Sequence, residues 1–114
     1  KLVIPINLKI MKPSSYLKFI FLLKNSMAVI TDSGGVTEEA TVLKVPCLTL
    51  RTTTERPETV AQGSNILIGN DFQKLKKYIN KIKNKKWKKS FIPHKWDGNA
   101  SRRIIKKIIK LEIQ

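Results

Sequence analysis

Met27-Ala28-Val29-Ile30-Thr31-Asp32-Ser33-Gly34-Gly35-Val36-Thr37-Glu38-Glu39-Ala40 decides how this chain is read. A short apolar run feeds Ser-Gly-Gly and then a helix-forming stretch, which is a strand, a tight turn and a helix. In α/β folds that sequence of elements binds phosphate. Ser33 can cap the helix, Gly34 and Gly35 let an anion approach the backbone, and the helix start offers free N–H groups and a positive dipole end. Glu39 falls about one helical turn beyond Gly35 on the same face. A carboxylate there can accept hydrogen bonds from the hydroxyls of a sugar whose phosphates sit above it.

Outward from this stretch, short apolar runs alternate with helical patterns. Residues 7–10 read as a short strand. Pro13-Ser14-Ser15 opens a helix to about Asn25, with Tyr16, Phe19, Ile20 and Leu23 on one face. Residues 27–31 form a buried strand and Gly34–Leu43 the helix after the turn. Residues 45–50 are the next strand, and 51–58 a polar loop whose Pro57 starts a short helix through about Gln62. Residues 65–68 are another strand, closed by Gly69. From Asn70 the period turns helical: Asp71 caps, and Phe72, Leu75, Ile79 and Ile82 mark an apolar face. A charged connector over 83–90 holds Trp87, and 91–98 is a loop. The last helix runs from about Ala100 to Leu111, with Ile104, Ile105, Ile108 and Leu111 directed inward. Alternation with such short crossovers predicts an α/β fold, a Rossmann-like parallel sheet with flanking helices. Ligands of such sheets bind at the carboxyl ends of the strands. Both polar segments, 31–39 and 51–58, lie there.

The 114 residues allow one small domain with a modest core. The chain starts at Lys1, and Leu2-Val3-Ile4 has no turn or cap before it, so a piece of something longer is expected. Cys47, the single cysteine, sits in an apolar run and reads as a buried reduced thiol. His94 is the single histidine, which excludes histidine-cluster metal sites. It sits on a proline-flanked loop and reads as structural. Charge is lopsided: residues 1–70 carry a net +3 and residues 71–114 a net +12. Such a tail raises nucleic acid or a membrane surface as partners. The basic residues are nearly all lysine, however, not the arginine favoured for base readout, so solvated helix faces are the preferred reading. Residues 11–28 imitate a secretion signal, but their uninterrupted apolar core is shorter than the roughly seven to fifteen residues required. No stretch reaches the roughly eighteen of a membrane span. The chain is expected to be soluble and cytoplasmic, with neither nucleic acid nor membrane as partner.

Each constellation has a plainer alternative. Ser33-Gly34-Gly35 alone is an ordinary capped turn, and Glu38 a helix-start acid complementing the dipole; Glu39 is the better ligand candidate. In Arg51-Thr52-Thr53-Thr54-Glu55-Arg56-Pro57-Glu58 an arginine can satisfy a diphosphate, and a glutamate can orient the arginine or fix the loop. The alternative is a solvated crossover. Trp96-Asp97-Gly98-Asn99-Ala100-Ser101 reads as a turn plus cap.

With these segments in order, the chain resembles the C-terminal part of the non-hydrolysing UDP-N-acetylglucosamine 2-epimerases. Carrying the resemblance are Pro13…Tyr16-Leu17…Phe19, Thr31-Asp32-Ser33-Gly34-Gly35…Glu38-Glu39-Ala40 and Pro46…Leu50-Arg51. Thr54-Glu55-Arg56-Pro57-Glu58, Gly63…Asn65 and Trp96-Asp97-Gly98…Ala100…Arg103-Ile104 complete it. Thr37 replaces the usual glutamine, and Lys44 stands where glycine is common. The resemblance implies a two-domain, GT-B-like enzyme in which residues 1–114 supply the UDP-binding portion of the C-terminal domain. The N-terminal domain and the start of the C-terminal domain would lie outside the chain. Position by position, Ser33 and the backbone of Gly34 and Gly35 would hold the diphosphate. Glu39 would hold the ribose, and backbone near Phe19 would read uracil. Arg51, Thr54, Glu55 and Arg56 would form a supporting loop. The implied reaction inverts C2 of UDP-GlcNAc to give UDP-ManNAc, through anti elimination of UDP and re-addition to a 2-acetamidoglucal. That product would feed surface polysaccharide synthesis. No cofactor or metal is implied, and the whole enzyme is expected as a homodimer. The family's acid–base carboxylates and catalytic histidine would lie before Lys1, so no catalytic residue is expected within the chain. An incomplete sheet would leave an exposed edge, and the last helix would rest partly on the missing domain, which would leave its isoleucines exposed in this chain.

Three alternatives stand beside this reading. They are a related two-domain glycosyltransferase, against which the Thr-Glu-Arg-Pro-Glu segment argues, a nucleic-acid binder, and an inactive gene remnant.

Overall fold

Helical and extended elements alternate along the chain in a computed structural model that describes residues 3–113. Lys1, Leu2 and Gln114 lie outside the described residues, and with them the start of the uncapped Leu2-Val3-Ile4. The elements are α1 (Tyr16–Lys24), β1 (Val29–Thr31), α2 (Gly34–Leu43), β2 (Cys47–Thr49), α3 (Pro57–Ala61), β3 (Asn65–Leu67), α4 (Phe72–Lys83) and α5 (Ala100–Glu112). The three strands form a parallel sheet in the order β1-β2-β3, with Val29 opposite Cys47 and Cys47 opposite Asn65. Parallel neighbours require crossovers, and α2 and α3 supply them.

Local chemistry sets the boundaries. Ser15, Ser33 and Asp71 cap α1, α2 and α4, their side chains accepting the N–H of Lys18, Val36 and Lys74. Pro57 heads α3, where a missing N–H costs nothing. Helix α2 stops at Lys44, which takes the left-handed conformation with φ 57° and returns its N–H to the last turn. Glycine normally fills that role, which explains physically why Lys44 is unusual at this position.

Central strand β2 is wholly buried, and two small apolar clusters flank it. On one side Leu23, Ala40, Val45 and Cys47 meet Phe19, Val29 and Leu43. On the other, Leu48, Ile68 and Ile82 meet Leu75, Tyr78, Ile79 and Trp87. Trp87 closes this side edge-on to Tyr78, with ring centroids 5.9 Å apart. Burying each such aliphatic side chain stabilises by about 2 kcal/mol.

Four sequence expectations need correction. Residues 7–10 form no strand; they follow a turn in which Leu8 N–H donates to Pro5 O, and they are exposed, because no neighbouring strand pairs with them. Strand β1 is shorter than residues 27–31 and only half-buried, with Ile30 exposed, because it lies at the sheet edge. Phe72 is 75% exposed and does not share the buried face of α4. Helix α5 has the expected bounds within a residue, but no residue of it is buried: Ile104, Ile105, Ile108 and Leu111 all face solvent. The extents of 65 × 29 × 25 Å and a radius of gyration of 17.6 Å follow from these outlying segments. A compact domain of this length would have a radius of about 13 Å. Among the described residues, no helix is long and apolar enough to cross a membrane.

Candidate functional site

Strand β1 ends at Thr31, and the turn that follows is held by its own hydroxyls. Thr31 Oγ1 accepts the Ser33 N–H at 3.1 Å, and Ser33 Oγ accepts the Val36 N–H at 3.4 Å. Gly34 and Gly35 then open α2, in the turn where helical N–H groups have no intrahelical partner. Thr37 folds its hydroxyl back to Gly34 O at 2.6 Å and is buried. A Cβ at Gly34 would meet the Glu55 carboxylate, the end of an exposed side chain, so the glycine leaves room for that carboxylate beside the helix start.

That loop is a network of neutralised charges. Arg51 Nη1 donates to both Glu55 oxygens, at 3.1 and 3.4 Å. The Glu55 carboxyl lies below its usual range because its own backbone N–H and then Arg51 favour the charged form. Arg56 donates from Nε to Glu38, which holds the guanidinium more firmly protonated. Thr54 Oγ1 accepts the Arg56 N–H at 3.0 Å and shapes the bend. Glu38 therefore ties α2 to the loop. Its reading as a helix-start acid missed this partner, since nothing local links positions 38 and 56.

One turn further along α2, half-buried Glu39 faces a cavity of about 330 Å³ lined by Tyr16, Ile20, Glu38, Val42, Leu43 and Trp96. Hydrogen bonding to Glu39 and its negative charge raise the Tyr16 phenol above its usual value. Phe19 sits in α1 with its side chain against the Leu23–Ala40–Val45 cluster, and its N–H donates to Ser15 O at 2.9 Å. Any polar contact from that backbone must therefore come from another group than this N–H.

Trp96 is the cavity residue that the turn-plus-cap reading overlooked. The turn exists: Gly98 has φ 76°, and Asp97 accepts the Asn99 N–H at 2.9 Å and Arg103 Nη1 at 2.8 Å. Arg103 lowers the Asp97 carboxyl to about 2. Arg103 Nη2 also donates to Lys95 O at 2.7 Å, so the residues on both sides of Trp96 are fixed. The available signal was an aromatic residue directly before a turn locked to a helix. His94 is exposed in the preceding turn, where the Trp96 N–H donates to Pro93 O at 3.1 Å. Cys47 is fully buried and its thiol is pushed up to about 11 by burial. Among the described residues, no group of His, Cys, Asp and Glu is placed to hold a metal ion.

With this geometry in hand, comparison with known proteins is specific. A family model described as UDP-N-acetylglucosamine 2-epimerase matches residues 2–109. The UDP-N-acetylglucosamine 2-epimerase of Methanocaldococcus jannaschii is 50% identical over 102 residues, covering 88% of this chain and 27% of that protein. The crystal structure of that organism's enzyme in complex with UDP-GlcNAc and UDP superposes with a TM-score of 0.73 at 48% identity, covering 90% of this chain and 28% of that one. The Neisseria meningitidis enzyme bound to UDP-GlcNAc gives 0.74 at 36% identity, with coverage of 88% and 28%. The chain thus spans 27% of the length of the first of these relatives.

Proposed function

The chain belongs to the UDP-N-acetylglucosamine 2-epimerase family, and from that premise we propose that it supplies the UDP half of a sugar-nucleotide site. Ser33 and the backbone of Gly34 and Gly35 cradle the diphosphate at the α2 N-terminus. Glu39 accepts the ribose hydroxyls, and the base lies against α1 near Phe19. Arg51, Thr54, Glu55 and Arg56 hold the loop beside the phosphates. The observation that carries this reading is Glu39, which faces a cavity with aromatic walls one turn beyond the open N–H groups of α2.

In the whole enzyme the proposed reaction inverts C2 of UDP-GlcNAc to give UDP-ManNAc. A base removes the C2 proton, the bond between C1 and the diphosphate oxygen breaks, and its electron pair leaves with UDP. Re-addition of UDP to the 2-acetamidoglucal with protonation on the opposite face of C2 completes the inversion. Negative charge builds on the departing diphosphate, so preorganised N–H groups and arginines beside it lower the barrier. Residues outside this chain carry the proton transfers. The whole enzyme is proposed as a cytoplasmic homodimer that supplies an activated sugar for surface polysaccharide.

Titration of the chain with UDP, followed by backbone amide shifts, tests this reading. UDP should perturb Ser33, Gly34, Gly35 and Glu39, and ADP should perturb the glycines but not residues near Phe19. Unchanged shifts at these four residues with millimolar UDP would contradict it.

A further inference from the structure

Among the described residues, six polar side chains are buried: Thr37, Thr41, Thr49, Thr59, Ser64 and Asn65. Three of them form a chain with one direction. Thr49 Oγ1 donates to Asn65 Oδ1 at 2.5 Å, Asn65 Nδ2 donates to Thr59 Oγ1 at 3.1 Å, and Thr59 Oγ1 donates to Arg56 O at 2.8 Å. The chain runs from central strand β2 through β3 into α3 and stops at the backbone of Arg56. An apolar core would serve stability as well or better; Thr41 Oγ1 and Ser64 Oγ have no partner among the described residues, whereas these three side chains bond to one another, and buried bonds of this kind favour one geometry.

What it specifies is the base of an arginine. Arg56 is the N-cap of α3 and makes no side-chain capping bond of its own. Its carbonyl accepts both the Thr59 hydroxyl at 2.8 Å and the Thr59 backbone N–H at 3.1 Å, and its own N–H donates to Thr54 Oγ1, so both ends of the residue are fixed. From that base the guanidinium reaches Glu38 on α2, beside the Ser33-Gly34-Gly35 turn. We propose that Thr59 and Asn65 are positioning residues, forming a hydrogen-bond relay from β2 that sets the Arg56 backbone and aims its guanidinium at Glu38 on α2. The inference rests on the diphosphate reading only for why an arginine is wanted there.

The test needs no nucleotide, so its failure is distinct from failure of that reading. The readout is the Arg56 Nε–H resonance and its exchange with water in the 114-residue chain, with Glu38→Ala marking the unpaired position. Thr59→Val keeps the shape and removes the hydroxyl; Thr59→Ser keeps the hydroxyl and removes the methyl. The relay predicts that Thr59→Val moves the resonance towards the Glu38→Ala position with exchange faster by roughly tenfold, while Thr59→Ser leaves it in place. An unmoved resonance in both variants, or an equal shift in both, overturns the proposal, because either result makes Thr59 a packing residue. Should Thr59→Val not fold, Asn65 side-chain amide exchange in the unaltered chain decides. A proton protected as well as the β2 amides supports the relay, and exchange at the rate of exposed Asn99 overturns it.

Discussion

Helices α2 and α5 invert the usual relation between pattern and burial. Helix α2 has ten residues and a weak apolar stripe, yet Thr37, Ala40 and Thr41 are buried. Helix α5 has thirteen residues and isoleucines at helical spacing with lysines opposite, yet it buries nothing. The difference lies in connection. The crossover from β1 to β2 is so short that α2 must lie on the sheet, where small side chains suit close approach. Helix α5 follows a long irregular segment and is attached through Arg103, Asp97 and Lys95. An amphipathic stripe states that a helix has a face to bury; it does not state against what.

The largest effect should separate these regions directly. Leu23→Ala, on the side of the sheet where it clusters with Ala40 of α2, removes a buried side chain and should cost about 3 kcal/mol. Ile108→Ala on α5 should change stability by less than about 0.5 kcal/mol. Urea unfolding of both variants checks this, and similar losses would mean that α5 docks in solution.

A smaller effect sharpens the comparison at the end of α2. Lys44 occupies the left-handed cap, so Lys44→Gly should stabilise by about 1 kcal/mol as strain is relieved. A lower thermal midpoint would show that the cap is not strained. Smaller still is a dependence on pH. Burial raises the Cys47 thiol from 9.0 to about 11, so its stability contribution is complete below pH 9 and is lost as pH rises through 11. Cys47→Ser, compared with the unaltered chain between pH 8 and pH 11, should flatten that loss. At neutral pH the native thiol should resist alkylation until the sheet opens.

How much was legible in the sequence divides along the same line. The bounds of α2, the caps Ser33 and Asp71 and the places of β1, β2 and β3 along the chain rest on short-range rules of capping, turns and apolar runs, and these are readable residue by residue. The strand expected over 7–10 failed because a strand exists only with a partner, and the local pattern does not reveal one. The inward face assigned to α5 failed for the same reason. At the site, the Ser-Gly-Gly turn and Glu39 were visible as local spacing. The pairing of Glu38 with Arg56 and the arrival of Trp96 beside Glu39 depend on contacts 18 residues apart or more, which no local spacing encodes.

The central claim is that α2 presents Glu39 to the ribose of UDP. Calorimetry with UDP and 2′-deoxy-UDP on the unaltered chain, Glu39→Gln and Glu38→Gln tests it most directly. The account predicts that Glu39→Gln weakens UDP by about 1.5–3 kcal/mol and nearly abolishes the preference for UDP over its 2′-deoxy form, whereas Glu38→Gln keeps that preference. Equal losses for the two nucleotides in Glu39→Gln would contradict it, and Glu39 would then be a residue of helix packing alone.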